Sequence, residues 1–265
     1  MTAAAGPILV FDSGIGGLSV LDAIHSLLPT RRCIYVADDA AFPYGEWEEE
    51  ALIEHIVGVM DRLVDSYAPR AIVIACNTAS TLVLPALRAR FTMPIVGTVP
   101  AVKPAAGRTR SGVISVLATP GTIARDYTRQ LIDQFAADVH VELVASRRLA
   151  AMAEKLLQED EIDAEAVREE ILPCFVDTGI GRTDIVVLGC THYPFLIPHM
   201  SAVAPWPVDW LDPAPAIAQR LAALIESDTR IAEGEGFTLF TGGASAPPLL
   251  AGMLRARGVP VGGDE

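Results

Sequence analysis

The chain has 265 residues, of which 51% are hydrophobic and 20% are charged, and its formal net charge is −13. This length favours two domains, and the composition is typical of a globular protein with a large core, which excludes a disordered chain. The acidic balance excludes partners that need a basic surface, so we expect binding to neither nucleic acid nor a membrane. Since residues 1–7 lack a basic start and no apolar run could span a bilayer, we expect a cytoplasmic protein.

Short apolar runs alternate with helical patterns along the chain. The predicted strands are residues 8–11, 33–37, 71–75, 95–97, 112–117, 139–144, 185–188, 208–211 and 237–240. The helical patterns cover residues 17–28, 48–66, 78–90, 122–136, 147–157, 164–175, 214–226 and 247–257. Strands that are apolar on both faces and alternate with helices indicate βαβ units with parallel sheets. We therefore predict an α/β fold.

A weak internal repeat predicts two similar halves. Residues 71–78 (AIVIACNT) resemble residues 184–192 (DIVVLGCTH), because each is an apolar strand that ends in a cysteine followed by polar side chains. We predict two similar lobes, each with a mostly parallel sheet flanked by helices, and an active site in the cleft between them. The predicted first lobe is residues 1–98, with residues 209–265 packing back on it, and the second is residues 99–208.

Polar side chains lie at or just after the ends of the predicted strands. In open α/β sheets, ligands bind beyond the carboxyl ends of the strands, where helix N-termini point backbone N–H groups at the site. The candidate site residues are Asp12, Ser13, Tyr44, Gly45, Cys76, Asn77, Thr78, Thr119, Thr122, Cys190, Thr191 and His192.

The four cysteines fall into two classes. None forms a CxxC pair, so we expect free thiols and no metal site. Cys33 and Cys174 lie in apolar patterns and are predicted core residues. Cys76 and Cys190 occur in matched contexts before helix starts, and a helix N-terminus lowers the pKa of a thiol towards neutrality. This pattern favours acid/base roles for both.

Two further side chains near the cysteines have alternative interpretations. Asp12 either caps the following helix or orients or deprotonates a thiol. His192 is two residues beyond Cys190 and either assists that thiol or is a buried hydrogen-bonding residue.

Cofactor signatures are weak. Residues 12–17 (DSGIGG), with Asp38 at the end of the second strand, imitate a dinucleotide fingerprint, but Ser19 stands where a third glycine or alanine belongs. A pyridoxal-phosphate enzyme needs a lysine in its pocket, and neither Lys103 nor Lys155 has a suitable context. We therefore expect no cofactor.

Five segments read together resemble the glutamate racemase family. They are residues 11–17 (FDSGIGG), 37–45 (ADDAAFPYG), 75–80 (ACNTAS), 97–104 (GTVPAVKP) and 189–194 (GCTHYP). They follow the family's order and span most of the chain. Aspartate racemases share the plan of two cysteines.

The resemblance implies a cofactor-independent isomerase that supplies D-glutamate for peptidoglycan synthesis, and a homodimer. It implies that Cys76 takes the α-proton from D-glutamate and Cys190 from L-glutamate, with Asp12 and His192 assisting. The substrate contacts that it implies are Asp12, Ser13, Tyr44, Gly45, Asn77, Thr78, Thr119, Thr122, Thr191 and His192.

Three other functions remain as alternatives. An aspartate racemase differs from a glutamate racemase by one methylene of substrate. The alternative of a nucleotide-binding module depends on the glycine-rich segment at residues 14–17. A non-catalytic amino-acid-binding protein would bind glutamate and tolerate the loss of either thiol.

Overall fold

A computed structural model describes residues 6–179, 181–226, 234–243 and 245–262. The strands are β1 Ile8–Asp12, β2 Cys33–Ala37, β3 Ala71–Ile74, β4 Ile95–Gly97, β5 Val113–Ala118, β6 His140–Ala145, β7 Ile185–Gly189, β8 Asp209–Leu211 and β9 Phe237–Phe240. The helices are α1 Leu18–Leu27, α2 Glu49–Tyr67, α3 Asn77–Arg90, α4 Val102–Arg108, α5 Pro120–Ala124, α6 Asp126–Phe135, α7 Leu149–Glu159, α8 Ala164–Ile171, α9 Ile197–Val203, α10 Ala214–Ile225 and α11 Pro248–Ala256. Within the described ranges, no helix is long and apolar enough to cross a membrane.

The strands form two parallel sheets, with the orders β4-β3-β1-β2-β9 and β6-β5-β7-β8. Every residue of β1, β2, β3, β5 and β7 is buried, as continuous apolar runs predict. Each fully buried valine, leucine or isoleucine contributes about 1.5–3 kcal/mol. The predicted α/β fold, with two lobes and helix-flanked parallel sheets, is confirmed.

In both sheets the order in which successive strands are added reverses at a central strand. The chain leaves β1 towards β2 and later returns to β3 on the other side, and β5 stands in the same relation to β6 and β7. A crevice forms at the carboxyl end of a sheet where the strand order reverses. The pairs β1/β3 and β5/β7 therefore each provide a crevice.

Two helices were not predicted, and one predicted helix is divided. Helix α4 lies between β4 and β5, where no helix was predicted, and Pro104 is tolerated there because the first turn of a helix has no partner for its N–H groups. Helix α9 likewise begins with a proline in its first turn. The predicted helix at residues 122–136 is α5 and α6, separated by the extended backbone of Arg125.

The strand pairing places one segment differently from the predicted division into lobes. Strand β8 starts at residue 209 but pairs with β7 in the second sheet, whereas β9 joins the first sheet beside β2. A short apolar run predicts a strand without indicating its sheet. Helix α10, just after β8, packs on α1 of the first lobe.

Candidate active site

The predicted polar residues come together where the two crevices face each other. They surround a cavity of about 40 Å³, which the ends of β1 and β3 approach from one side and those of β5 and β7 from the other. Its lining includes Ser13, Tyr44, Gly45, Cys76, Asn77, Thr78, Thr119, Cys190, Thr191 and His192. Asp12 and Thr122 are fully buried behind these residues and do not line the cavity.

The first thiol belongs to Cys76, which immediately precedes α3. Cys76 is 6% exposed, and its Sγ donates a hydrogen bond to Ser13 Oγ at 3.7 Å. Burial and the negative charge of Asp12 raise the pKa of the Cys76 thiol. The prediction that a helix N-terminus brings this pKa towards neutrality is wrong, because desolvation and the nearby carboxylate outweigh the hydrogen bond from the Ala79 backbone N–H.

The second thiol belongs to Cys190, which follows β7 and contacts a buried chain of polar groups. Its Sγ lies 3.6 Å from His192 Nδ1, and His192 Nε2 lies 2.8 Å from Glu154 Oε1. The Glu154 carboxylate also accepts hydrogen bonds from the Ile15 backbone N–H and from Gln158 Nε2. Helix α7 therefore holds the imidazole by way of Glu154.

The protonation of His192 differs from that of an ordinary histidine. Burial alone would favour the neutral ring, but hydrogen bonds to Cys190 and Glu154 raise the pKa of His192 well above its usual value. Burial would also raise the pKa of Glu154, yet its hydrogen bond with His192 and the histidine's charge lower it. Cys190 thus faces a histidine whose surroundings favour its charged form, whereas Cys76 faces a carboxylate, which favours the neutral thiol.

Asp12 supports the first lobe's side of the cavity. Its Oδ2 accepts a hydrogen bond from the Gly17 backbone N–H at 2.8 Å, and its Oδ1 accepts one from Thr191 Oγ1 at 3.5 Å. Burial raises the pKa of Asp12 to about 6. Asp12 is therefore mostly ionised above neutral pH, in a position where its charge acts on Cys76.

A triangle of hydroxyl groups joins the two lobes beside the cavity. Thr78 Oγ1 lies 2.9 Å from Thr119 Oγ1 and 3.3 Å from Thr122 Oγ1, and the last two lie 3.1 Å apart. Hydroxyls rotate freely and can turn to donate to an anion.

The side chains of Asn77 and Tyr44 differ in whether their polar atoms have hydrogen-bond partners. Among the described residues, neither the amide nitrogen nor the amide oxygen of Asn77 has a partner, although both are buried. Buried polar groups are normally satisfied, so this amide indicates a ligand position. The Tyr44 hydroxyl is already bonded, since it donates to Asp38 Oδ2 at 2.5 Å.

The sequence did not indicate four residues of the site. They are Phe42, Pro43 and Ala150 of the lining and, most importantly, Glu154. One signal could have found Glu154. It follows the buried Ala153 on α7, close to the apolar face that also contains Leu149 and Leu157. A carboxylate beside such a face needs a buried partner.

The glycine-rich turn after β1 packs against protein groups in the space where a nucleotide would place its phosphates. A Cβ on Gly14 would lie 2.2 Å from Glu154 Oε1, and one on Gly16 would lie 2.4 Å from His192 Nδ1. These glycines therefore allow close approach of Glu154 and His192, which argues against the nucleotide-binding interpretation.

The lysines and the remaining cysteines lie away from the cavity lining. Lys155 pairs with Glu161, and Lys103 Nζ lies 5.1 Å from the centroid of the Phe135 ring. Cys33 and Cys174 are buried, and burial raises the pKa of each thiol. No group of three histidine, cysteine, aspartate or glutamate side chains that could hold a metal occurs in the described part of the chain.

The Asp/Glu/Hydantoin racemase family matches residues 8–221. The glutamate racemase of Mesorhizobium japonicum is 59% identical over 240 residues, which cover 89% of this chain and 92% of the relative. The glutamate racemase of Agrobacterium fabrum is 57% identical over 240 residues, covering 89% of this chain and 88% of the relative.

A solved structure has the same fold throughout. The crystal structure of Escherichia coli glutamate racemase in complex with L-glutamate and the activator UDP-MurNAc-Ala superposes with a TM-score of 0.90 at 37% identity, covering 97% of each chain. The resemblance indicated by the five motifs is thus confirmed over nearly the whole chain. This chain belongs to the Asp/Glu/Hydantoin racemase family.

Proposed function

We propose that this protein is a glutamate racemase that interconverts L- and D-glutamate by proton transfer at the α-carbon, with Cys76 and Cys190 as the two acid/base groups and no cofactor. The observation that carries the proposal is the placement of the two thiols. Cys76 follows β3 and Cys190 follows β7, each of which borders the crevice of its own sheet, and both thiols line one cavity. Inversion through a planar carbanion needs a base on one face and an acid on the other, and opposed thiols meet that need.

The charges around the thiols support a starting state for the reaction. In this proposal Cys190, whose Sγ lies 3.6 Å from His192 Nδ1, removes the α-proton of L-glutamate, and Cys76, whose thiol pKa is raised by burial, delivers its proton to the opposite face. After turnover Cys190 is the thiol and Cys76 the thiolate. D-glutamate reacts through the same steps reversed. At each stage of the reaction one sulfur is the thiol and the other the thiolate.

Neutral donors hold the substrate in this proposal. The unpartnered amide of Asn77, with Ser13 and Thr191, binds the α-amino acid end. Thr78 and Thr119 bind the distal carboxylate, and the buried Thr122 hydroxyl orients theirs. The backbone N–H groups at the start of α3 and beside Gly45 add donors. These local donors attract an acidic substrate despite the net charge of −13.

The cavity is too small to admit the substrate as it stands. Its volume of about 40 Å³ contrasts with the roughly 300–1,000 Å³ of ordinary ligand pockets. The structure is therefore a closed form, and the lobes separate to admit glutamate. Opening breaks the contacts that join the lobes, which include the Thr78–Thr119 hydrogen bond and the ion pair of Arg125 with Glu49. A closed, dry cavity strengthens the polar contacts to a carbanion.

Glu154→Gln is expected to lower kcat/KM by roughly 10- to 100-fold, the value of a hydrogen bond to a charged group. Loss of the carboxylate lowers the pKa of His192, so the imidazolium is lost at a lower pH and the alkaline limb of the pH profile moves down. Because the equilibrium constant of a racemisation is one, the decrease is equal in both directions. The measurement is the pH dependence of kcat/KM by circular dichroism.

Glu159→Gln is the matched control, since Glu159 is on the same helix and 58% exposed. An unchanged alkaline limb in Glu154→Gln would show that Glu154 does not support the charge of His192.

Relative turnover of L-glutamate and L-aspartate tests the substrate. One methylene is worth roughly 10- to 200-fold in kcat/KM, and the relatives that share 57% and 59% identity with this chain are glutamate racemases. Chiral chromatography of both reactions is expected to show D-glutamate formed at least tenfold more efficiently. A preference for aspartate would identify the shorter acid as the substrate and leave the proposed mechanism unchanged.

The remaining expectations are part of the same proposal. D-glutamate made here serves peptidoglycan synthesis, the protein acts in the cytoplasm, and two copies form a homodimer. The four free cysteines support a reducing location. Sedimentation equilibrium measures the assembly, and a mass of 28.1 kDa would exclude the dimer.

A further inference from the structure

A second buried carboxylate lies just behind the cavity, outside its lining. Asp38 follows β2 and is fully buried, and its backbone N–H donates to the carbonyl oxygen of Asp12 at 2.8 Å. It therefore connects directly to the strand end that carries Asp12 and Ser13. The proposed proton transfer does not use this carboxylate.

Three segments of the first lobe donate hydrogen bonds to Asp38. Its Oδ2 accepts from Tyr44 Oη at 2.5 Å and lies 2.6 Å from His55 Nε2, and its Oδ1 accepts from Thr241 Oγ1 at 2.6 Å. Tyr44 belongs to the loop after β2, His55 to α2, and Thr241 to the turn after β9. The carboxylate thus joins the cavity loop to the helix and strand that pack around it.

The Tyr44 hydroxyl is held by Asp38 and cannot serve the substrate as an acid or base. Burial raises the pKa of Tyr44, and the charge of Asp38 and its hydrogen bond raise it further. Tyr44 therefore stays protonated and donates to Asp38, while the residue itself lines the cavity with Phe42, Pro43 and Gly45. The position of this loop depends on where Asp38 holds the phenol.

His55 holds Asp38 from the outer side. Its side chain is 27% exposed, and its ring stacks on Trp47 with the ring centroids 5.1 Å apart. Trp47 Nε1 donates to the carbonyl oxygen of Ala41 at 3.0 Å, which fixes the far end of the same loop. His55 is therefore connected to the loop of residues 42–45 by two routes, one through Asp38 and one through Trp47.

We propose that His55 is a positioning residue for racemisation, which through Asp38 and Tyr44 holds the loop of residues 42–45 against the substrate. This inference rests on the proposed function, because its readout is the binding of glutamate. His55 does not touch the cavity, and its effect passes through the carboxylate that it shares with Tyr44. Its loss weakens substrate binding and leaves the thiols in place.

Two amide substitutions separate positioning from general stability. In His55→Gln the amide nitrogen can occupy the place of Nε2 and donate to Asp38, whereas in His55→Asn the shorter side chain cannot reach. We expect His55→Asn to raise KM for glutamate roughly tenfold with kcat within about threefold of the parent. His55→Gln is expected to restore KM to within about threefold, whatever the melting temperatures of the two variants.

A double substitution tests the route through Tyr44. In a Tyr44→Phe background, His55→Asn is expected to change KM by less than about twofold, because the shared hydrogen-bond network is already broken. His140→Asn, at a half-exposed histidine on β6, is the control and is expected to leave KM unchanged.

The inference is overturned if His55→Asn keeps the parent KM, if His55→Gln is as impaired as His55→Asn, or if the effects of His55→Asn and Tyr44→Phe are additive. Failure of the proposed function is distinguishable, since the unsubstituted protein would then not racemise glutamate at all.

Discussion

Cys76→Ser and Cys190→Ser are each expected to lower racemisation of glutamate by roughly 10³-fold or more, in both directions. Acid/base groups contribute about 10²–10⁴-fold each, and a serine hydroxyl is too weak an acid and base to replace a thiol. Each variant retains one thiol and thus one half of the reaction. We expect Cys76→Ser to exchange the α-proton of L-glutamate slowly without inversion, and Cys190→Ser to do so with D-glutamate.

Proton NMR in D2O with each enantiomer, combined with chiral chromatography, measures exchange and inversion separately. Cys33→Ala is the control, because Cys33 is a buried thiol outside the cavity lining, and it is expected to retain full racemisation. If either serine variant racemised within tenfold of the parent, the assignment of two thiol acid/base groups would be wrong.

Asp12→Asn is expected to make the protein more stable at pH 8 and less active by roughly 10²-fold or more. The activity falls because the ionised carboxylate beside Cys76 is the group that can assist its deprotonation when D-glutamate is the substrate. Since the equilibrium constant is one, the loss of kcat/KM is the same for both enantiomers. The parent should lose activity as the pH falls below about 6, where Asp12 becomes protonated, and the variant should lack this acid limb.

The gain in stability follows from the direction of the pKa shift. Burial raises the pKa of Asp12 from 3.8 to about 6, so the folded state binds this proton more tightly than the unfolded state does. Below pH 3.8 the Asp12 carboxyl is neutral in both states and does not change the free energy of unfolding. Between pH 3.8 and 6 its ionisation lowers that free energy increasingly, and above pH 6 the decrease is complete. One pKa unit is about 1.4 kcal/mol, so the cost at pH 8 approaches about 3 kcal/mol.

Urea unfolding of the parent and of Asp12→Asn between pH 4 and 8 measures this difference. The variant's advantage should be largest at pH 8 and shrink as the pH falls from 6 towards 4. Asp209→Asn, at a carboxylate that is 65% exposed, should show no such advantage. A variant that is less stable than the parent at pH 8 would mean that the ionised carboxylate stabilises the fold.

The sequence predicted the elements and most of the cavity because their signals are local. Runs of apolar residues between helical patterns placed the nine strands found in the described residues, and the rule that ligands bind at strand ends brought Cys76 and Cys190 to one site. Helix α4 was missed because Pro104, which lies in its first turn, is also typical of a turn.

What the sequence could not predict depends on contacts between distant segments. Glu154 reaches His192 only because α7 packs beside the turn after β1. The phenol of Tyr44 turns to Asp38, a residue that occurs in the weak dinucleotide fingerprint and in the motif at residues 37–45, neither of which indicates this contact. The raised pKa of Cys76 has the same origin, since it reflects burial and the position of Asp12 more than the helix that follows.

The most direct test of the central claim is a proton NMR time course of the purified protein with L-glutamate in D2O and no added cofactor. Two-thiol racemisation predicts that the α-proton signal disappears while D-glutamate accumulates. If the α-proton of glutamate persisted, and that of aspartate in a parallel sample did too, cofactor-free racemisation at this pair of thiols would be contradicted.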